Sequence, residues 1–438
     1  MSSRSAELFL EAQKYLPGGV SRNTLLRKPH PFYNHHATGC RTVDVDGVDR
    51  IDFANNMASL IHGHAHPAIV AAVTEQLAKG TAFTMATETE IDFARHLVGR
   101  SPSFDKVRFV NSGTEAVMAA IKAARAHTGR PKIAKVEGTY HGAYDFAEVS
   151  QEPAPHSWGE RNHPNAVPLA MGTPQGILHD VVIIPFNDPD AACAILDEHR
   201  GELACVLIDP MPHRAGLIPA DENFIRALWK WTRDDGALLV FDEVITFRTE
   251  VGGMQTRYKV RPDFTTMGKI IGGGFPVGAI AGRDETMAVF IPGPYGPRLP
   301  HSGTFSANPI TMTAGLTAME LFDAAAVARL NALGELTRAR LREAISASGA
   351  PASVTGTGSM FKLHFKAEAP RDYRSAFPTT EERHAHRAFI DALNDDGILT
   401  IYSAAGALST PMTEVEINRL AEAVEAALRK AKEELVVR

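Results

Sequence analysis

The stretch "VRFVNSGTEAVMAAIKAARAHTG", residues 107–129, reads as a strand that stops at Val110, a turn of small polar residues, and a helix that begins near Glu115. Ala120, Ala123 and Ala124 are small enough to let that helix lie close on whatever is beneath it. The same pattern recurs on either side. Apolar runs at 106–110, 131–137, 204–209 and 237–244 alternate with polar turns and helix-period segments between about residues 100 and 285. Such alternation predicts an α/β fold around a mostly parallel sheet. Because the runs are almost continuously apolar, the strands are expected to be covered on both faces.

The chain has 438 residues, enough for two or three domains or one large two-lobed unit. Its net charge of -6 gives no basic footprint for nucleic acid. Cys40, Cys193 and Cys205 are too few and too far apart for a disulfide framework or a zinc ribbon, which fits a reducing cytoplasm. The amino terminus reads as an amphipathic helix ended by Pro17 and Gly18, without the apolar core of a signal peptide. No stretch approaches the roughly 18 apolar residues of a membrane span. Segment 151–180 reads as one long loop, functional or mobile, and the Gly- and Pro-rich segment 291–309 as a surface or interface loop. Near the end, Thr413 and Glu416 predict a capping box for a helix whose apolar face carries Val415, Ile417, Leu420, Val424 and Leu428.

Three features carry chemistry. The helix start at Ser112, Gly113 and Thr114 can hold a phosphate on its free amide groups, though the same residues would also make a plain N-cap. In "ALLVFDEV", residues 237–244, Asp242 and Glu243 lie at the carboxyl end of an apolar strand, where ligands of open parallel sheets bind. They are placed to meet a cationic ring nitrogen, a metal or a neighbouring arginine. In "TTMGKIIGGGFPVG", residues 265–278, Lys269 is the sole charge and three glycines follow. A lysine desolvated there loses preference for the charged form, and a neutral amine attacks carbonyls; a snorkelling lysine is the plainer alternative. Phosphate cradle, carboxylate and amine together are the fixings pyridoxal 5'-phosphate requires.

With these residues in view, the chain resembles the class III aminotransferases of fold type I, within them the branch of glutamate-1-semialdehyde aminomutase and the β-amino-acid aminotransferases. The resemblance runs in order through "YLPGGVSR", "DVDGVDRIDF", "GHAHP", "NSGTEAVMAAIKAARAHTGRPKI", "EGTYHG", "FDEVITFR", "DFTTMGKIIGGGFPVGAIAGR" and "HSGTFSANPITMTAG". It implies a large domain over 61–310, with a smaller α+β domain built from 1–60 and 311–438. It implies Ser112, Gly113 and Thr114 on the phosphate, Tyr140 on the pyridine ring with His141 beside it, and Asp242 on the ring nitrogen. Val244 packs on the opposite face, Lys269 is the Schiff-base lysine, and Thr304 reaches the phosphate of a neighbouring subunit in a homodimer.

Two departures stand out: Asp209-Pro210 replaces the family's usual Glu-Pro, and the aminomutase's glycine-rich gating loop after "YHG" is replaced by "AYDFAEVSQEPAPHSWGERN". The resemblance of "PGGVSR" to the β-amino-acid enzymes implies that Arg22, or Arg27 one alignment step away, clamps a substrate carboxylate. His62, His64 and His66 read as a turn into a helix rather than a metal site, because Pro67 and a helix pattern follow. The expected activity is transfer of an amino group from an amino acid, of β type, to a 2-oxo acid such as 2-oxoglutarate or pyruvate. Alternatives are an aminomutase or racemase, which needs no 2-oxo acceptor, and a non-catalytic cofactor-binding protein.

Overall fold

The computed structural model describes residues 3–436. Seven strands form the central sheet: β1 (Lys106–Val110), β2 (Lys132–Val136), β3 (Val181–Ile184), β4 (Leu203–Ile208), β5 (Leu238–Asp242), β6 (Phe264–Gly268) and β7 (Gly278–Gly282). Their order across the sheet is β1-β7-β6-β5-β4-β2-β3. β7 alone runs antiparallel to its neighbours, and the remaining pairings are parallel. Two reversals restore the direction of β1 to that of β6. The carboxyl ends of β1, β2, β4, β5 and β6 therefore share one edge.

Both faces of the sheet are covered, as the unbroken apolar runs require. Val240 and Leu238 turn to one side with Leu207 and Phe264, under Val117, Ala120, Ile121 and Ala124 of helix Gly113–Thr128. Leu239 and Phe241 turn to the other with Val206 and Ile208, under Phe224, Ile225, Leu228 and Trp231 of helix Glu222–Asp235. The strand period of two sorts alternate residues into these two cores.

The chain's two ends meet in smaller sheets. Asn34–Thr38, Arg41–Asp44 and Asp49–Asp52 form a meander whose last strand pairs in parallel with Ile398–Leu399. A further sheet joins Ser353–Thr355, Met360–His364 and Ala405–Ala407. The fully buried Arg248, just beyond β5, ties them to the main sheet. It donates to Ser359 Oγ at 2.9 Å, to the Ala58 carbonyl at 3.1 Å and to the Leu408 carbonyl.

Several sequence expectations need correction. The first helix is Arg4–Ala12, ending before Pro17, because Pro17–Gly19 makes a separate 3-10 turn. The helix after β1 starts at Gly113 rather than near Glu115, since Ser112 caps it. Segment 151–180 holds a two-stranded hairpin (Gly159–Glu160 and His163–Pro164) and a helix, Gln175–His179. In the last helix, Glu414–Val436, Ile417, Leu420, Val424 and Leu428 are buried, but Val415 is 72% exposed. The Glu416 carboxylate accepts from the Thr413 backbone at 2.8 Å, one half of the expected box. Among the described residues no single helix is long and apolar enough to cross a membrane.

Candidate active site

Residues from five strand ends converge on the shared edge. Ser112 Oγ accepts from the Glu115 backbone at 3.1 Å, so the capping role is real. Capping one amide still leaves others of the first turn without a helical partner, as every helix start does. Gly113 has no room for a side chain: a Cβ would lie 3.0 Å from both methyls of Val244. Its backbone also comes within 3.5 Å of a Cβ position on Gly268, so the helix start borders the Lys269 turn. Gly142, with φ of +89°, lies against Thr114, whose Oγ1 accepts from the Ala143 backbone at 3.3 Å. The "TYHG" turn thus closes on the same place.

Asp242 and Glu243 have opposite fates, because successive residues leave a strand on opposite sides. Glu243 accepts from the Met254 and Gln255 backbones at 2.7 and 2.8 Å and from Thr246 Oγ1 at 2.9 Å, and burial pushes its carboxyl up to about 7. It organises a turn. Asp242 Oδ2 lies 2.7 Å from Nδ1 of the buried His141, while Oδ1 accepts from the Val244 backbone at 3.1 Å and Thr266 Oγ1 at 3.2 Å. Burial holds the His141 imidazole below its usual range, against the opposing pull of Asp242. A neutral ring donating Nδ1–H to the carboxylate satisfies both groups. Among the described residues the buried His141 Nε2 has no hydrogen-bond partner.

Lys269 opens a 3-10 turn directly after β6 with φ of 50°, the left-handed region that non-glycine residues avoid. Such strain costs on the order of 1–3 kcal/mol and persists only where the surroundings impose it. Burial lowers the affinity of its amine for a proton, and the nearby Asp242 and Asp209 carboxylates partly restore it. Asp209, at the end of β4, accepts from the Met211 backbone at 2.8 Å, and burial and Asp242 together hold its carboxyl well above the usual range. Tyr140 is half-exposed, with the Arg214 guanidinium 5.7 Å from its ring centre.

Of the two candidate clamps, Arg27 is built into the amino-terminal body, over the Phe32 ring at 5.1 Å. Arg22 is exposed and donates to Asn56 Oδ1 at 2.9 Å. Asn56 belongs to a turn, Asn55–Ala58, in which all four residues have positive φ. Thr304 is exposed and lines a groove of about 200 Å³ with Phe83, Met85 and Thr87. The histidines make structural hydrogen bonds: His62 to Thr410 and the Ala318 carbonyl, and His64 to Asp52.

Sequence reasoning missed Arg214, Lys135 and Arg374. Lys135 left a signal, a charge inside an apolar strand. It is wholly buried and donates to the Thr139 and Val149 carbonyls at 3.1 and 2.6 Å, which holds the turn carrying Tyr140 and His141. Arg374 pairs with Glu137 at 2.8 and 2.9 Å and also holds the carbonyls of Trp158, Gly159 and Glu160. It fastens the segment expected to be a loose loop.

Comparison with known proteins shows the chain's family and fold. The family model for aminotransferase class-III matches residues 26–431. A curated relative, glutamate-1-semialdehyde 2,1-aminomutase of Methanothermobacter thermautotrophicus, is 40% identical over 374 residues, covering 85% of this chain and 86% of the relative. An omega-transaminase from Sphaerobacter thermophilus superposes with a TM-score of 0.96 at 50% identity, covering 98% of each chain. A β-phenylalanine aminotransferase from Variovorax paradoxus does so with a TM-score of 0.86 at 33% identity, covering 96% of this chain and 93% of that one.

Proposed function

The chain belongs to the class III aminotransferases of fold type I and is a pyridoxal-phosphate enzyme, and we propose that within this family it transfers the amino group of a β-amino acid to a 2-oxo acid. The observation that carries the enzyme reading is the meeting of Lys269, the Asp242–His141 pair and the Gly113–Val244 contact at one sheet edge, while the transaminase similarities and the exposed Arg22 support the β-amino-acid donor. The residues fit the cofactor. The helix start at Ser112, Gly113 and Thr114 would hold its phosphate, Tyr140 and Val244 would flank its ring, and Asp242 would keep the ring nitrogen protonated. His141 orients the Asp242 carboxylate and keeps water from it.

The bound cofactor supplies an electron sink for the carbon that carries the amine. Lys269 is the amine that would bond the cofactor's aldehyde and, once displaced, accept and return the substrate's proton. Its lowered proton affinity suits a general base. Arg22 would clamp the substrate carboxylate, and its exposure beside Asn56 supports that choice over Arg27. Thr304 would reach the phosphate of a partner subunit in a homodimer. The three cysteines are unpaired, which supports a cytoplasmic location.

The omega-transaminase and β-phenylalanine aminotransferase similarities support the transaminase reading. The aminomutase relative favours a second one, an isomerase that needs no acceptor. Single-turnover absorbance separates them. Cofactor-loaded protein mixed with a β-amino acid alone should convert its cofactor from aldehyde to amine; isomerisation of glutamate-1-semialdehyde without acceptor would favour the aminomutase. Lys269→Ala should abolish turnover while leaving the unfolding midpoint close to that of the parent. Retained turnover would sink the assignment.

A further inference from the structure

We propose that Arg214 is the site's second carboxylate-binding residue, which makes the preferred acceptor a dicarboxylic 2-oxo acid of the 2-oxoglutarate type. This rests on the transaminase reading above. Segment 209–214 leaves β4 beside β5, whose end carries Asp242; burial, then the charges of Lys362 and Lys269, hold His213 below its usual range. The Arg214 guanidinium stands over the half-exposed Tyr140 ring and pairs with Glu152. Both side chains of that pair keep access to water, 31% for Arg214 and 49% for Glu152. An ion pair this exposed is weak, so a substrate carboxylate can replace Glu152 on the guanidinium fork.

A second cation makes this corner electropositive. Lys362 Nζ donates to the His213 carbonyl at 2.9 Å, and no carboxylate is paired with it among the described residues. Burial and the Arg214 charge lower its proton affinity, so the two cations feel each other, and among the described residues Glu152 is the one carboxylate ion-paired with either. His213 in turn is 2.8 Å from Ser403 Oγ, which brings the 401–409 segment to the same wall. The backbone beside Glu152 is anchored, since the next residue's carbonyl accepts from Tyr373 Oη at 3.0 Å, so its carboxylate leaves the guanidinium by a side-chain movement alone. With Arg22 as the first clamp of the proposed function, Arg214 would give the site a second carboxylate-binding residue, and a monocarboxylate acceptor would use one of the two.

Isothermal titration of the cofactor-loaded enzyme with glutarate and with butyrate tests this without turnover. The parent should bind glutarate more tightly, and Arg214→Ala should erase about 30-fold of that preference. Acceptor kinetics should show the ratio of kcat/KM for 2-oxoglutarate over pyruvate falling about 100-fold. Glu152→Gln should raise glutarate affinity several-fold by removing its competitor. Should Arg214→Ala fold poorly, Arg214→Lys, which keeps the charge and loses the fork, should give an intermediate loss of preference. Equal losses for both acceptors, or a parent that does not distinguish glutarate from butyrate, would overturn the proposal. If no β-amino acid converts the cofactor but the glutarate preference depends on Arg214, the donor assignment fails and the dicarboxylate site stands.

Discussion

Lys269 and Asp242 were legible because each is a charged residue in an apolar run, a local conflict that a sequence displays at once. Lys135 shows the same conflict, and the structure gives it a different use. Its ammonium is fully buried against backbone carbonyls, and burial, with Arg214 adding to it, pushes its pKa down to about 7 from 10.5. Between those values the unfolded chain carries a proton there that the folded chain lacks, so stability rises with pH across roughly 7 to 10.5. Below about 7 both states are protonated and the dependence vanishes. Denaturant titrations should show this rise, and Lys135→Met should remove it, at a slope approaching ~1.4 kcal/mol per pH unit. An unchanged pH profile in that variant would assign the dependence elsewhere.

Among the elements, the strands of the main sheet were the most readable. Every residue of β4 and β5 is buried; the expected run at 237–244 contains β5, and the run at 204–209 covers all of β4 but Leu203. The antiparallel β7 was not foreseen, since "GAIAG" has too few bulky residues to announce a strand. Its glycine at 278 has a steric reason: a Cβ there would lie 2.0 Å from the Ser112 carbonyl. The strand must approach the helix start closely for Lys269 and the 112–114 turn to share an edge. Gly278→Ala should force that turn aside, costing about 1–3 kcal/mol of stability and, if the turn holds the phosphate as proposed, weakening cofactor binding. Cofactor titration and thermal unfolding of the same variant check this, and parental values in both would show that the close approach is dispensable.

Across the whole molecule, the candidate site is fastened from far along the chain. Arg374 reaches Glu137 beyond β2, with side-chain exposures of 13% and 6%, and also holds the three carbonyls at 158–160, where the chain enters the hairpin. Trp158 meets the rings of Tyr373 and Phe377 edge-on at 6.4 and 5.5 Å, so the same carboxyl-terminal segment packs the hairpin. The contact is what makes segment 151–180 a wall instead of a mobile loop. Arg374→Ala strands a buried carboxylate and should cost about 3–5 kcal/mol. Urea unfolding should register that loss, and limited proteolysis should cut faster between 151 and 165. A variant as stable and as resistant as its parent would show that the aromatic contacts alone hold the segment.

The sequence by itself determined the α/β class, the strands that carry the chemistry, and the identities of Lys269 and Asp242, because hydrophobic period and charge in an apolar run are properties of neighbours in the chain. It also carried the family, through an ordered series of motifs that no single motif could have established. Tertiary structure alone decided that Asp242 rather than Glu243 meets His141, that Arg27 packs over Phe32 while Arg22 is exposed beside Asn56, and that Arg214 faces Glu152 over Tyr140. Each of these depends on the direction a side chain takes and on a partner up to a hundred residues away. Spacing along the chain does not encode such a meeting; the packing of strand ends and the two chain termini around one sheet edge creates it.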